Sequence, residues 1–379
     1  MQKNYKFISL LSFVFIAELS FGQSISKLKF INEYDVPFNV SFKNTTVGGL
    51  SGIDYDQAHD TYYIICDDRS NINPVRYYTA KIHLKEKGID TVSFSDVVFL
   101  LQANGEKFRS SKTNPAETVD PEDIRFNSKT NHVYWTSEGE RIVKENENHN
   151  EAALNNPSIQ TAKTDGTFVN TFPLPENLTM QSTAKGPRRN GTLESLAFAD
   201  DFQTLYTALE EPLYEDGPQA DTVKTNSWVR IYQFDVAKKK NTAQYAYLLD
   251  PVAHTPVPAN AFKVNGISEI VALKNKQLLT VERSYSVGNA HNTIKVFLTD
   301  LSQAEDIGNT SSLIEKQPTH PAKKKLLLNM DDLGIHIDNI EGTTFGPTLP
   351  NGHQTLIFVS DDNFQKIEKT QFLLFEVIP

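Results

Sequence analysis

The stretch Asn190–Asp201, NGTLESLAFADD, places a carboxylate at the start of a short apolar strand, directly after an Asn-Gly turn. Four other segments share this layout: GGLSGIDYD, VDPEDIRFN, NGISEIVAL and DNIEGTTFG. They follow one another at intervals of roughly 70 residues, which indicates one supersecondary unit present five times. The aligned positions, four of them acidic, are Ser51, Glu122, Glu194, Glu269 and Glu341.

Each unit contains short runs rich in β-branched and aromatic residues, separated by Asp, Asn, Gly and Pro. The first unit has four such runs, SGIDYD, TYYIICDD, RYYTAKIHL and TVSFSDVVFLL, and the third and fourth units repeat this number. Four antiparallel strands repeated around an axis form the blades of a β-propeller. The sequence therefore predicts an all-β fold, a β-propeller of five four-stranded blades.

The two ends of the chain are predicted to close this ring. The fifth unit has only three strands and finishes with QFLLFEVIP, whereas the run SKLKFINEYDV before the first unit belongs to no blade. Pairing that N-terminal strand with the last blade would complete it and hide its edge. Six blades are the alternative, because the second unit is unclear after Glu140 and an insertion over residues 140–190 could contain another blade.

The first 22 residues have the layout of a secretory signal peptide. Lys3 and Lys6 give a basic start, Phe7–Ala17 is apolar, and small residues precede the predicted cleavage site. The apolar run is shorter than the roughly 20 residues that a membrane span needs, so an uncleaved anchor is the lesser alternative. We expect residues 23–379 to form a single secreted or periplasmic domain without membrane contact after cleavage.

Composition excludes several classes of function. The formal net charge of −10 argues against sequence-independent nucleic-acid binding, which requires clustered Lys and Arg. The single Cys66 cannot form an internal disulfide, and its apolar surroundings predict a buried, inert thiol. No two of the nine His have zinc-ligand spacing, and no Gly-x-Ser-x-Gly or glycine-rich phosphate motif occurs. A monomer is the default expectation.

In a propeller blade the innermost strand begins where the second strand ends, one strand spacing of about 4.8 Å away. The ends of the second strands are also acidic in this chain. Together with the four Glu of the strand starts, they predict nine carboxylates around one mouth of the central channel. The five strand-end residues are Asp67, Glu138, Glu210, Glu282 and Asp361.

Such a concentration of negative charge requires compensation, because mutual repulsion raises pKa values. Three kinds of partner stay open: a calcium ion, which accepts six to eight oxygen ligands; basic residues after the second strands, namely Arg69, Arg141 and Arg283; and backbone amides of neighbouring blades. A structural role for the recurring Glu, clamping adjacent blades, is the competing interpretation. The predicted calcium ligands are Glu122, Glu138, Glu194, Glu210, Glu269, Glu282 and Glu341.

The basic segment AKGPRRNG lies directly before the first strand of the third unit. There, Arg188 and Arg189 could overhang the acidic mouth and bind an anionic substrate group through their guanidinium groups. Ordinary exposed surface is the alternative interpretation of this loop.

These segments resemble the phytase-like family of secreted bacterial proteins, described as having esterase-like activity of phytase. The similarity is carried by GGLSGIDYD with CDDRS, DPEDIRF with WTSEGE, RRNGTLESLAF, ISEIVAL with TVERS, and IEGTTFGP with FVSDDNF, over about residues 46–377. The resemblance implies a propeller that hydrolyses phosphomonoesters or related esters. LESLAF and DPEDI depart from the family pattern, because each has a larger residue than Gly after the Glu, which would narrow access to the channel.

The predicted function is therefore calcium-assisted hydrolysis of a small anionic phosphoester. In this hypothesis Asp67 or Asp361 positions water, while Arg69, Arg188 and Arg189 stabilise the developing negative charge. One alternative is a non-catalytic propeller that binds a ligand or a protein at the same mouth. Another is a calcium-dependent lactonase.

Overall fold

The computed structural model describes residues 25–145 and 150–379. Their regular structure is almost entirely β-strand, with three short 3-10 helices and, within these ranges, no α-helix. Five four-stranded antiparallel sheets account for most of it, and their innermost strands contact one another in cyclic order. The fold is thus a five-bladed β-propeller, as predicted, and the six-bladed alternative is wrong.

The strands of each blade follow one another from the axis outward. The chain starts with β1 (Lys27–Val36), followed by a small hairpin of β2 (Val40–Phe42) and β3 (Thr45–Val47). Blade one contains β4 (Leu50–Asp56), β5 (Thr61–Cys66), β6 (Arg76–Lys85) and β7 (Gly88–Phe99). Blade two contains β8 (Pro121–Asn127), β9 (His132–Ser137), β12 (Ser158–Lys163) and β13 (Phe168–Thr171), with the hairpin β10 (Glu140–Glu145) and β11 (Asn150–Asn155) inserted between its second and third strands.

Blades three to five have the same order. Blade three contains β14 (Leu193–Phe198), β15 (Thr204–Leu209), β16 (Trp228–Asp235) and β17 (Lys240–Leu248). Blade four contains β18 (Lys263–Ala272), β19 (Gln277–Ser286), β20 (Thr293–Asp300) and β21 (Lys323–Asn329). Blade five contains β22 (Asn339–Thr348), β23 (Gln354–Asp361) and β24 (Thr370–Ile378). The 3-10 helices are Glu176–Leu178, Lys274–Lys276 and Met330–Leu333.

The N-terminal strand β1 closes the ring, as predicted. It pairs antiparallel with β24, from Lys27 opposite Ile378 to Val36 opposite Thr370, and forms the outermost strand of blade five. Leu28 is buried in the same apolar cluster as strands of blades four and five. Pairing the two ends of the chain covers an edge of β24 that would otherwise expose unpaired backbone groups.

The insertion predicted over residues 140–190 contains the hairpin β10–β11 and the outer half of blade two, not a sixth blade. The predicted signal peptide, residues 1–22, lies outside the described residues. Among the residues that are described, no helix combines the length and the hydrophobicity that crossing a bilayer would require.

The hydrophobic core lies between neighbouring blades. Tyr63 of blade one stacks on Phe126 of blade two with ring centroids 4.7 Å apart, and other clusters fill the remaining gaps in the same way. Ile64 and Ile65 are both fully buried, because each blade is covered on both faces. Full burial of one such side chain contributes about 1.5–3 kcal/mol. The adjacent Cys66 is buried as predicted, and burial raises the pKa of its thiol.

Arg125 fills the axis of the propeller. Its buried guanidinium lies 2.9 Å from Asp123 Oδ1 and 2.6 Å from Glu269 Oε2, so its charge is compensated. It also donates hydrogen bonds to carbonyl oxygens from the innermost strands of all five blades. These acceptors are Ile53 (2.6 Å), Ile124 (3.0 Å), Leu196 (2.7 Å), Ile270 (3.4 Å) and Thr343 (3.5 Å).

Glycine occupies the position of Asp123 and Glu269 in blades one and five. A Cβ atom at Gly52 would lie 2.6 Å from the Cα of Asp123, and one at Gly342 would lie 2.4 Å from the carbonyl oxygen of Ser51. Both distances are shorter than van der Waals contact. The absence of a side chain therefore lets neighbouring innermost strands approach closely around Arg125.

Candidate functional site

A break in strand pairing near the start of each innermost strand turns one side chain toward the mouth of the propeller. In blade three Leu193 pairs with Leu209 and Ser195 with Ala208, which leaves Glu194 as the extra residue of a β-bulge. The other four blades shift register at the same point. The equivalent residues, called the first ring, are Ser51, Glu122, Glu194, Ser268 and Glu341.

A second ring comes from the ends of the second strands. In each blade this residue directly follows the second-strand residue that pairs with the position just before the bulge. In blade three, for example, Leu209 pairs with Leu193, and Glu210 follows Leu209. The second-ring residue therefore lies beside the first ring. The second ring consists of Asp67, Glu138, Glu210, Arg283 and Asp361. The two rings together hold seven carboxylates and one guanidinium group, whereas the sequence predicted nine carboxylates.

Blade four accounts for the difference, because both predicted acids of this blade lie one residue away from the rings. Ile267 pairs with Glu282, so the ring positions are the next residues, Ser268 and Arg283. A shift of one residue along a strand moves a side chain to the opposite face. The segment ISEIVAL was aligned by its Glu, and that alignment was wrong by one position.

The two misplaced acids have structural partners. Glu269 binds Arg125 on the propeller axis. Glu282 accepts hydrogen bonds from the hydroxyl of Tyr247 at 2.7 Å and the backbone N–H of Asp250 at 3.0 Å. These two residues fit the structural interpretation of the recurring acids, since both join neighbouring elements and neither lines the cavity described below.

Seven of the ten ring residues line the floor of a cavity of about 1100 Å³ at the mouth of the propeller, whereas Ser51, Ser268 and Asp361 do not line it. Three sets of carboxylates have one oxygen per residue within 4.8 Å of the other members. The first set occupies blades five and one, and the other two overlap at Glu138. The sets are Asp67, Glu341 and Asp361; Asp120, Glu122 and Glu138; and Glu138, Glu194 and Glu210.

Several of these oxygens have no protein partner. Glu341 Oε2 is fully buried and accepts no hydrogen bond within the described part of the chain. Within the same ranges, the side chains of Asp67 and Glu194 make no hydrogen bond. Glu122 accepts one, from the hydroxyl of Ser51 at 3.1 Å. A carboxylate that is buried without a partner is costly, so this cluster has capacity for a cation.

Burial also disturbs the acidity of the cluster. It raises the pKa values of Asp67, Glu122 and Glu194 well above their usual range, and repulsion from neighbouring carboxylates raises them further. For Glu138, burial with repulsion from Asp120 and Glu210 raises the pKa to about 8. Backbone amides compensate only part of this charge. Among the seven ring carboxylates described, Glu138 accepts from the N–H of Thr192, and Asp361 accepts from the N–H of Asn363 at 2.7 Å.

Arg283 is the one cation within the rings. Its guanidinium donates to Glu210 Oε1 at 2.8 Å, to Asn339 Oδ1 at 2.7 Å and to Glu341 Oε1. Internal basic residues, the second partner considered from sequence, therefore compensate part of the charge. One guanidinium leaves most of the seven carboxylates without a counter-charge.

Two further Arg lie on one wall of the cavity. Arg69 is 19% exposed and donates to Asp120 and, at 3.1 Å, to Glu140. Arg189 is 55% exposed and donates to Glu140 at 2.9 Å. Both line the cavity, as predicted from sequence. Asp120 and Glu140 were missed, because they lie beside strand ends at positions that the repeat does not mark.

Arg188 and Arg141 lie elsewhere. Arg188 donates to the carbonyl oxygens of Pro212 and Gly217, both at 2.9 Å, and it does not line the cavity. Arg141 donates to the carbonyl oxygen of Gln181 at 2.9 Å. Of the two consecutive Arg in the basic segment, only Arg189 reaches the mouth.

Several solved structures are similar to this chain over most of its length. The endo-arabinase from Bacteroides thetaiotaomicron VPI-5482 shares 12% identity and a TM-score of 0.42, over 91% of this chain and 98% of that chain. The α-L-arabinofuranosidase from Lactobacillus brevis shares 10% identity and a TM-score of 0.46, over 87% and 91%. The exo-β-1,3-galactanase from Phanerochaete chrysosporium shares 14% identity and a TM-score of 0.44, over 92% of this chain and 65% of that chain. These values are too low to inform on activity.

No curated protein sequence matches the chain. The sequence profile "Phytase-like: Esterase-like activity of phytase" matches residues 45–364. That range contains the first four blades and the first two strands of blade five, with both rings of mouth residues. The chain is a five-bladed propeller that belongs to the phytase-like family.

Proposed function

We propose that the protein is a hydrolase of phosphoesters that depends on a divalent cation, calcium, bound at the acidic mouth. The observation that carries this proposal is the group of three neighbouring carboxylate sets on the floor of the cavity. Their ligand atoms are all oxygens, which suits a hard cation such as calcium. The buried and unpartnered Oε2 of Glu341 supports a cation in the same place.

The residues available to hold the ion are those of the two rings. Glu138, Glu194 and Glu210 form one set, and Asp67, Glu341 and Asp361 form another across the mouth. When bound, the ion would neutralise oxygens of a phosphate group that enters the cavity. Glu269 and Glu282, whose carboxylates already have protein partners, are not part of this proposal.

The Arg of the cavity wall would orient the substrate. Arg189 is the most accessible of them, and its guanidinium can form paired hydrogen bonds with phosphate oxygens. Arg69 lies behind it, held by Asp120 and Glu140, and would add positive charge at the same wall. With the ion held by Glu138, Glu194 and Glu210, the carboxylate of Asp67, which has no hydrogen-bond donor among the described residues, would position the attacking water and accept its proton.

The rim of the cavity gives a further indication of the substrate. Ile72, Phe262, Tyr285 and Ile367 are exposed and border the same cavity. An apolar rim above a charged floor suits an ester that carries an aryl or alkyl group beside its phosphate. An aryl phosphate is therefore a suitable first substrate.

The test is hydrolysis of an aryl phosphate by the purified protein, after chelation and after calcium is restored. The proposal predicts activity that chelation abolishes and that calcium restores. Glu194→Gln should lower this activity by at least about 100-fold, which is the scale of a lost electrostatic contribution to the transition state. Glu86→Gln is the matched control, because Glu86 is exposed in the β6–β7 turn at the opposite end of the propeller.

Three outcomes would overturn the proposal. Turnover that chelation leaves unchanged would exclude the cation from the reaction. Calcium binding without turnover of phosphoesters, carboxylesters or lactones would instead favour the non-catalytic binding propeller. Turnover of lactones alone would favour the calcium-dependent lactonase.

A further inference from the structure

A second group of side chains that could hold a metal ion lies beside the same cavity, which His291 lines. His254, His291 and Asp331 each offer one ligand atom within 4.8 Å of the other two. They come from three separate loops of the mouth: the β17–β18 loop, the β19–β20 loop and the 3-10 helix before β22. We propose that these three residues bind a late first-row divalent transition metal ion, with Zn²⁺ as the expected occupant.

The chemistry of the ligands separates this site from the carboxylate floor. Two imidazoles with one carboxylate favour zinc and neighbouring transition metals, whereas oxygen-only sets favour calcium and magnesium. Sequence spacing argued against a zinc site, because no two His lie close together along the chain. The fold brings His254 and His291 together, with ring centroids 6.3 Å apart.

The distances are close to those of a bound site. His291 Nε2 lies 3.8 Å from Asp331 Oδ1, and His254 Nε2 lies 4.0 Å from Asp331 Oδ2. Ligands with bonds of 2.0–2.1 Å in tetrahedral geometry are about 3.3 Å apart, so a contraction of about 0.5–0.7 Å is needed. Both imidazoles are more than two-fifths exposed, and His254 Nε2 would exchange its 3.1 Å contact with Thr293 Oγ1 for the ion.

The carboxylate is already held in position. Thr293 Oγ1 donates to Asp331 Oδ2 at 2.9 Å, and the side chain of Asn329 accepts from the backbone N–H of Asp331 at 3.2 Å. Asp331 Oδ1 is buried and has no hydrogen-bond partner among the described residues. Supporting contacts of this kind orient metal ligands, and the unpartnered oxygen is available for the ion.

The backbone of His254 is fixed as well. Its carbonyl oxygen accepts a hydrogen bond from Ser286 Oγ at 2.6 Å, and the N–H of the preceding Ala253 donates to Ser284 Oγ at 2.9 Å. His291 borders the large cavity. Three protein ligands leave at least one coordination position open, as in catalytic zinc sites, so an anionic group in the cavity could reach the ion.

The experiment is a titration of the metal-free full chain with Co²⁺, followed by visible absorption, and with Zn²⁺, followed by calorimetry. We expect one equivalent of each ion to bind with a visible Co²⁺ band. Loss of a residue that only supports a metal ligand already costs about 10–100-fold in metal affinity. His291→Ala and Asp331→Asn alter the ligands themselves, so each should weaken binding by at least about 100-fold. His83→Ala, which removes an exposed imidazole of β6, should change nothing.

This outcome is independent of phosphoester hydrolysis. Glu194→Gln should leave the Co²⁺ band intact, and His291→Ala should leave calcium binding at the carboxylate floor intact. The proposal is overturned if no saturable one-to-one binding occurs, if His291→Ala and His83→Ala bind equally well, or if the Co²⁺ band disappears in Glu194→Gln.

Discussion

The propeller contains two clusters of buried charge that differ in how they are compensated. On the axis, the guanidinium of Arg125 has two carboxylates and five backbone carbonyl oxygens around it. At the mouth, seven ring carboxylates share the single guanidinium of Arg283, and several oxygens have no partner. A cluster that satisfies its own charges stabilises the fold, whereas one that does not has capacity to bind something else.

The largest expected effect lies on the axis. Arg125→Met would leave Asp123 and Glu269 buried without their counter-charge, and breaking a buried pair in this way costs about 3–5 kcal/mol. Urea denaturation monitored by tryptophan fluorescence measures the loss. Arg125→Lys, which keeps the charge but not the planar fork, should lose less. A loss below about 1 kcal/mol for Arg125→Met would show that the axial cluster is not a stabilising element.

Arg283 should give an intermediate effect, because it belongs to the mouth and still compensates two acids. Arg283→Met removes charge-assisted hydrogen bonds to Glu210 and Glu341, worth about 1.5–3 kcal/mol. We expect added calcium to recover part of this stability, which a comparison of urea midpoints with and without the ion would reveal. Equal urea midpoints of Arg283→Met with and without calcium would indicate that the mouth, like the axis, compensates its charges without a bound ion.

The consecutive Arg188 and Arg189 should differ in kind. Arg188→Gln removes hydrogen bonds to two backbone carbonyls and should cost about 1 kcal/mol of stability without changing KM. Arg189→Gln should cost less than about 0.5 kcal/mol, because its guanidinium is half exposed and Glu140 keeps Arg69 as a partner, but should raise KM for an aryl phosphate. Thermal unfolding and steady-state kinetics on both variants separate the roles. A KM increase for Arg188→Gln alone would reverse this assignment.

The fold was predictable from sequence because the repeat is visible in it. Runs such as RYYTAKIHL and WVRIYQFDV begin at Arg76 and Trp228, where β6 and β16 begin. The closing strand was predictable from a mismatch, since one end of the chain lacked a strand that the other end could supply. These conclusions rest on strand periodicity, which tolerates an error of one residue.

The site does not tolerate such an error. Aligning Glu269 with Glu194 put the fourth blade out of register, and only the pairing of Ile267 with Glu282 corrects it. Arg125 was also missed, because the sequence DPEDIRF does not indicate that the guanidinium of this Arg contacts all five blades. The histidine group at the rim escapes notice for a related reason, since its members come from three loops.

The central claim is that the carboxylates of the mouth bind a divalent cation, and calorimetric titration of the chelator-treated protein with calcium tests it most directly. We expect saturable binding in the unaltered protein and in Glu86→Gln. For Glu194→Gln we expect calcium binding at least about 10-fold weaker, by analogy with the effect of altering residues that support a metal site. The melting temperature of this variant in the absence of calcium should be unchanged. No saturable calcium binding, or equal binding by Glu194→Gln and Glu86→Gln, would contradict the claim.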